Sequence, residues 1–232
     1  MRIARLVALA CVTFACAPTK GSSSMLHSDQ PSPLAADAVA GVADRELATV
    51  IADHWEYLMR WAPTWATTLG DHRYDDQLAP RDAAAIERAN AERDALLARL
   101  ERISRERLGG KDGITYAMLA GRLQAEQALD ACKFHEWSVD SGGSSLLGEL
   151  SYLVESHTVN TPADAANLVK RMEQAHTLID ATIANLATGL AEGRVAAAEK
   201  VRRAIEQLDA ELAKPVETWA MANPAWTKVT GT

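Results

Sequence analysis

Apolar residues recur along this chain at three- and four-residue spacings, the period of a single helix face. The first such stripe, Leu47, Val50, Ile51, His54 or Trp55, Leu58 and Trp61, predicts a helix beginning near Ala35 and ended or bent at Pro63. A polar loop, Leu69 to Asp76, follows. A second helix is expected from Asp82, with Ile86, Leu96, Leu97, Leu100 and Ile103 inward and Gly109-Gly110 as its stop. Asp112 is placed to cap a third helix, which shows Tyr116, Leu119 and Leu123 and runs to about Phe134. Turn-forming residues fill 138–145, and a shorter apolar helix spans Leu146 to about Glu155. Thr161-Pro162-Ala163-Asp164 is a helix start: Thr as cap, Pro at the first position, an acid in the first turn. The stripe Leu168, Met172, Ala175, Ile179, Ile183 and Leu186 then predicts one helix, ended by Gly189 and Gly193. A last helix carries Val201, Ile205, Leu208 and Leu212 up to Lys214-Pro215.

No run of alternating β-branched residues is present. The reading is all-α: a single helical domain of antiparallel and crossing helices over residues 36–222, with a tail at 223–232. Composition agrees, because Ala and Leu dominate the 48% apolar share while aromatics reach only 5%. Net charge is −7 with no basic run beyond the N-terminus, which disfavours nucleic-acid binding.

Residues 1–15 have the build of a signal peptide: Arg2 and Arg5 ahead of an apolar stretch from Leu6 to Ala15. Cys16 follows Ala15 and precedes a Ser- and Pro-rich stretch, so 16–35 reads as a disordered tether. A small residue, a cysteine and a polar tether form the pattern of a bacterial lipoprotein. Cys16 is the expected lipid attachment, with Cys11 as a rival. The expected location is the cell envelope, held to a membrane through a lipid anchor. Cys132 stands alone and reads as a small buried hydrophobe.

Chemical motifs are sparse. His135-Glu136-Trp137-Ser138-Val139 begins like a zinc helix, but Val139 stands where the second histidine belongs. Gly142-Gly143-Ser144-Ser145-Leu146 lacks the closing glycine of a nucleophile elbow. The densest polar cluster is Asp71-His72-Arg73-Tyr74-Asp75. Asp71, His72, Arg73 and Tyr74 have two readings: residues lining a substrate cleft, or a structural loop in which Asp71 caps amides and Arg73 pairs with Asp75 or Asp76.

The segment Pro63-Thr64-Trp65-Ala66-Thr67-Thr68-Leu69-Gly70-Asp71-His72-Arg73-Tyr74-Asp75 resembles the N-terminal signature of the bacterial family called domain of unknown function 885. The stretch from Val169 through Gly189-Leu190-Ala191-Glu192-Gly193 is similar to a second part of that family, where a helix ends in a Gly-x-x-x-Gly turn. The resemblance implies kinship with exported, often lipidated, helical zinc metallopeptidases. The family's His-Glu-x-x-Pro-Gly-His motif lies in a C-terminal half, and this sequence stops at Thr232 before it, so no metal ligand or catalytic residue carries over. The expected function is therefore the N-terminal helical part of such a protein, inert alone, with zinc only in a separate catalytic half and peptides as ligands. The alternative is a free-standing helical envelope lipoprotein that binds a partner or ligand.

Overall fold

The computed structural model describes residues 30–215; the expected signal peptide, the lipid attachment at Cys16 and the 223–232 tail lie outside the described residues. Every regular element among these residues is helical.

The chain enters through a short turn of helix, α1 (Ala35–Ala38), and then α2 (Arg45–Trp61). The single helix expected from Ala35 is thus broken. The break is held from another helix: buried Asp112 accepts the backbone N–H of Ala43 at 3.1 Å and of Asp44 at 2.7 Å. Asp112 therefore caps the approach to α2, not its own helix. Asp44 begins α2 by accepting the Leu47 amide at 2.9 Å.

Helix α2 packs with α4 (Ala83–Leu100) and α5 (Gly110–Leu129) around Leu47, Val50, Leu96, Leu97, Leu100 and Leu123. Each such side chain, buried from water, contributes about 1.5–3 kcal/mol. Asp82 caps α4 as expected, its carboxylate accepting the Ala85 amide at 2.9 Å. Gly109-Gly110 opens α5 and does not stop α4, which ends at Leu100.

Helix α5 ends at Leu129, short of the expected Phe134, and the 3-10 turns Asp130–Cys132 and Phe134–Glu136 follow. Cys132 is consequently exposed, contrary to the buried reading. It has left the helical face that would have carried it inward.

Between α2 and α4 lie α3 (Pro63–Leu69) and the 3-10 turn His72–Tyr74, folded back on each other as a hairpin. The second half of the fold comprises α6 (Leu146–Ser156), α7 (Pro162–Glu173), α8 (Ala175–Ala191) and α9 (Ala198–Leu212). The start of α7 is the one the sequence predicts. Thr161 accepts the Asp164 amide at 3.2 Å, and Asp164 accepts the Thr161 amide at 2.8 Å. The long helix expected over 162–189 is interrupted at Gln174. There the Gln174 amide group accepts Leu78 N–H at 3.0 Å and donates to the Asp76 carbonyl at 2.7 Å, tying the interruption to the strip of chain after the hairpin.

Candidate functional site

The hairpin owes its shape to its sequence. Pro63 opens α3, where its missing N–H costs nothing. Gly70 closes α3 at φ +92°, a left-handed conformation that favours glycine, and its N–H returns to the Thr67 carbonyl at 3.0 Å. Backbone carbonyls of Pro63, Tyr74 and Gln77 are thereby turned toward one point.

Arg171 of α7 fills that point. It is fully buried, and its guanidinium donates to Gln77 O at 2.9 Å, Pro63 O at 3.0 Å, Tyr74 O at 2.8 Å and Thr67 Oγ1 at 2.6 Å. The Thr67 hydroxyl passes its own proton toward Asp75 Oδ1 at 2.6 Å, and that carboxylate lies 3.8 Å from the guanidinium. Burial pulls the Arg171 pKa down to about 10, with Asp75 and Asp76 opposing, so the group stays charged at neutral pH. A buried cation of this kind persists because acceptors surround it.

His157, at the C-terminal cap of α6, completes the cluster. Its Nδ1 faces Arg171 Nη1 at 3.1 Å and its Nε2 faces the Asp164 carbonyl at 3.0 Å. A guanidinium only donates and a carbonyl only accepts, so Nδ1 is the bare acceptor and Nε2 carries the hydrogen. Burial, reinforced by the Arg171 charge, holds the imidazole pKa below its ordinary value, although the bond to Asp164 works the other way.

Asp71, His72, Arg73 and Tyr74, expected either to line a cleft or to form a structural loop, make a second layer of contacts in the hairpin. Asp71 is fully buried and accepts Ser32 Oγ at 2.7 Å, Arg73 Nε at 2.8 Å and Arg73 Nη2 at 2.7 Å. Burial opposes the Asp71 charge, yet the bonds from Arg73 and Ser32 outweigh it and keep its pKa below the usual carboxylate value. Arg73 also binds Glu56 Oε2 at 2.8 Å, so its carboxylate partners are Asp71 and Glu56, not Asp75 or Asp76. Tyr74 is buried against Met59 and Ala66. Only His72 of the four is exposed, its Nδ1 bonded to Asp75 Oδ2 at 2.8 Å. None of the four lines either of the two cavities described below.

A family profile with the description "Bacterial protein of unknown function (DUF885)" matches residues 63–229, well over half the chain. The chain belongs to this family. No curated protein and no solved structure matches it. The DUF885 region starts at Pro63, so the hairpin, His157 and Arg171 all fall inside it, whereas Ser32 and Glu56 precede it.

The same region supplies most of the wall of a groove of about 750 Å³. Leu146, Leu147 and Leu150 of α6 face Ile179, Ile183 and Leu186 of α8, with Leu208 of α9 and Phe134 closing the rim. The polar groups on the wall are Arg81, His135, Ser138, Asp140, Ser145, Thr182, Asn185 and Gln207. Several are already engaged. Asn185 donates to the Arg81 carbonyl at 2.8 Å, and Gln207 Oε1 accepts Gly142 N–H at 2.8 Å. Ser145 caps α6 through the Gly148 amide at 2.9 Å. It is not a poised nucleophile.

His135 and Glu136 do not act together as a metal pair. Glu136 is buried and ion-paired with Arg194, and α8 presses against its backbone at Gly189. His135 keeps Nε2 at 3.7 Å from Glu136 Oε1 while its ring also lines the groove, and burial, Lys133 and Arg194 lower its pKa. Among the described residues no three His, Cys, Asp or Glu side chains converge as metal ligands. A second cavity of about 530 Å³ lies between α2 and α4. Four of its charged side chains are paired, Arg60 with Glu92 and Arg99 with Asp53.

Proposed function

We propose that this chain is the N-terminal helical part of an exported, zinc-peptidase-like lipoprotein, without hydrolytic activity of its own, and that it holds apolar polypeptide in the groove between α6, α8 and α9. The groove carries this reading. Its volume of about 750 Å³ falls within the range of about 300–1,000 Å³ usual for ligand sites, and its walls are mostly apolar with polar side chains interspersed. Aliphatic walls select apolar side chains, while the His135 ring and the Gln207 side-chain N–H, its oxygen being held by Gly142, are suited to backbone groups. Kinship to peptidases is supported by family membership together with the signature resemblance; hydrolysis and zinc would belong to a separate catalytic half. Export and a membrane anchor through lipid on Cys16 are supported by the sequence pattern of residues 1–24 alone. A mature N-terminus lacking the lipid mass on Cys16 would remove the anchor.

Fluorescence anisotropy with a labelled apolar peptide tests the groove. Ile183 is 59% exposed, so Ile183→Asp leaves the fold intact while placing a charge on the groove wall. Binding by the wild type, weakened about tenfold or more in the variant, is the expected result, since losing one aliphatic contact costs about 1.5 kcal/mol or more. Equal binding by both proteins, or by neither, refutes the assignment. Metal analysis and a mixed-peptide cleavage assay on the same preparation check inertness; stoichiometric zinc with turnover would contradict it.

A further inference from the structure

We propose that His157 and Arg171 form an acid-released latch, which fastens α7 to the 63–77 hairpin only while the His157 ring is neutral. The geometry leaves a single workable proton arrangement. Arg171 Nη1 points an N–H at His157 Nδ1 across 3.1 Å, and the other ring nitrogen is committed to the Asp164 carbonyl at 3.0 Å. A second proton on the ring must go to Nδ1, where it meets an N–H already pointing at it. The hydrogen bond is lost and two cations are left in contact away from water.

Among the described residues, charged groups that act on His157 include Arg171 and Asp164 on α7 and Asp75 on the hairpin. Asp75 favours the charged ring by its charge but is outweighed by burial and Arg171, and its oxygens are already bonded to Thr67 at 2.6 Å and His72 at 2.8 Å. Arg171 is the group that pulls the Pro63, Thr67, Tyr74 and Gln77 acceptors onto α7. Displacing it loosens the seam between the α2–α5 half and the α6–α9 half. The folded ring resists protonation relative to the ordinary imidazole value of 6.5, so the unfolded or opened chain binds the extra proton more readily. The latch is therefore complete above that value and weakens as pH falls below it.

Hydrogen-exchange mass spectrometry on the full chain, from about pH 7.5 to about pH 5 and corrected for the intrinsic exchange rate, tests this. Peptides covering 63–78 and 162–174 should lose protection together below pH 6.5, up to about tenfold per pH unit crossed. Those from α4 should keep theirs. In His157→Gln, whose amide accepts from Arg171 and donates to Asp164 but does not titrate, the step should vanish. Retained protection in the wild type through the whole range overturns the proposal, as does an unchanged step in the variant. Should the variant not fold, the wild-type ring reports by NMR. Protonation of His157 in step with the loss of protection supports the latch, and a ring that stays neutral while the hairpin opens overturns it.

Discussion

Arg171 shows how one residue sets the register of two segments. Its planar fork matches acceptors that arrive from several directions, and a lysine has the charge without that geometry. Replacing it with Met takes a donor from each of the buried carbonyls of Pro63, Tyr74 and Gln77; Tyr74 O keeps the Gln77 N–H at 3.0 Å and Pro63 O the Thr67 hydroxyl at 3.1 Å. We expect Arg171→Met to lower unfolding free energy by about 3 kcal/mol or more in urea denaturation, and Arg171→Lys to recover only part of that. A lysine variant as stable as the wild type would show that charge alone suffices. The sequence concealed this residue for a definite reason. From Leu168, a step of three reaches Arg171 and a step of four reaches Met172, and both obey the helical period. Apolar character favours Met172, yet Met172 is 37% exposed and Arg171 is buried, because the surface facing α7 here is a ring of carbonyl oxygens. The same reasoning covers Asp71 and Arg73. Their clustering was visible, but Ser32 and Glu56, which fix what they do, lie far away in sequence.

Among elements, helix starts set by neighbouring residues were legible, while starts and interruptions set by distant ones were not. Asp82 and the Thr161–Asp164 pair act locally, so neighbouring residues suffice to recognise them. The interruption at Gln174 depends on Leu78 and Asp76, and the cap at Asp112 serves Ala43 and Asp44; nothing local announces either. Cys132 was misplaced because α5 ends at Leu129 and takes it off the helical face. Two glycines inside helices make opposite predictions. A Cβ on Gly189 of α8 would overlap the Glu136 carbonyl oxygen, which is backbone and unable to yield cheaply. Gly189→Ala should therefore destabilise, since overpacking costs about 1–3 kcal/mol and outweighs the gain in helix propensity. Gly121 of α5 has nothing within 4 Å of that position. Gly121→Ala should stabilise by about 0.4–1 kcal/mol. Thermal unfolding of both variants checks the pair; the same sign for both would contradict the packing described.

For the whole molecule, the apolar stripes that specify a helical protein also leave a surplus. Ile179 and Ile183 of α8 and Ile205, Leu208 and Leu212 of α9 remain exposed, more than scattered surface residues require. The stripe itself was readable in the sequence; its role as groove wall was not, because that depends on α6 and α8 standing apart at the level of Leu147 and Ile183. Membership in the DUF885 family identifies relatives and leaves the occupant of the groove to experiment. Photo-crosslinking is the most direct test. An apolar peptide carrying a photoreactive residue is irradiated with the full chain, and the adducts are mapped by mass spectrometry. The account predicts adducts at Leu147, Ile179, Ile183 and Leu208, with the peptide recovered uncut. Adducts concentrated in the charged cavity between α2 and α4, or a peptide recovered in fragments, would contradict it.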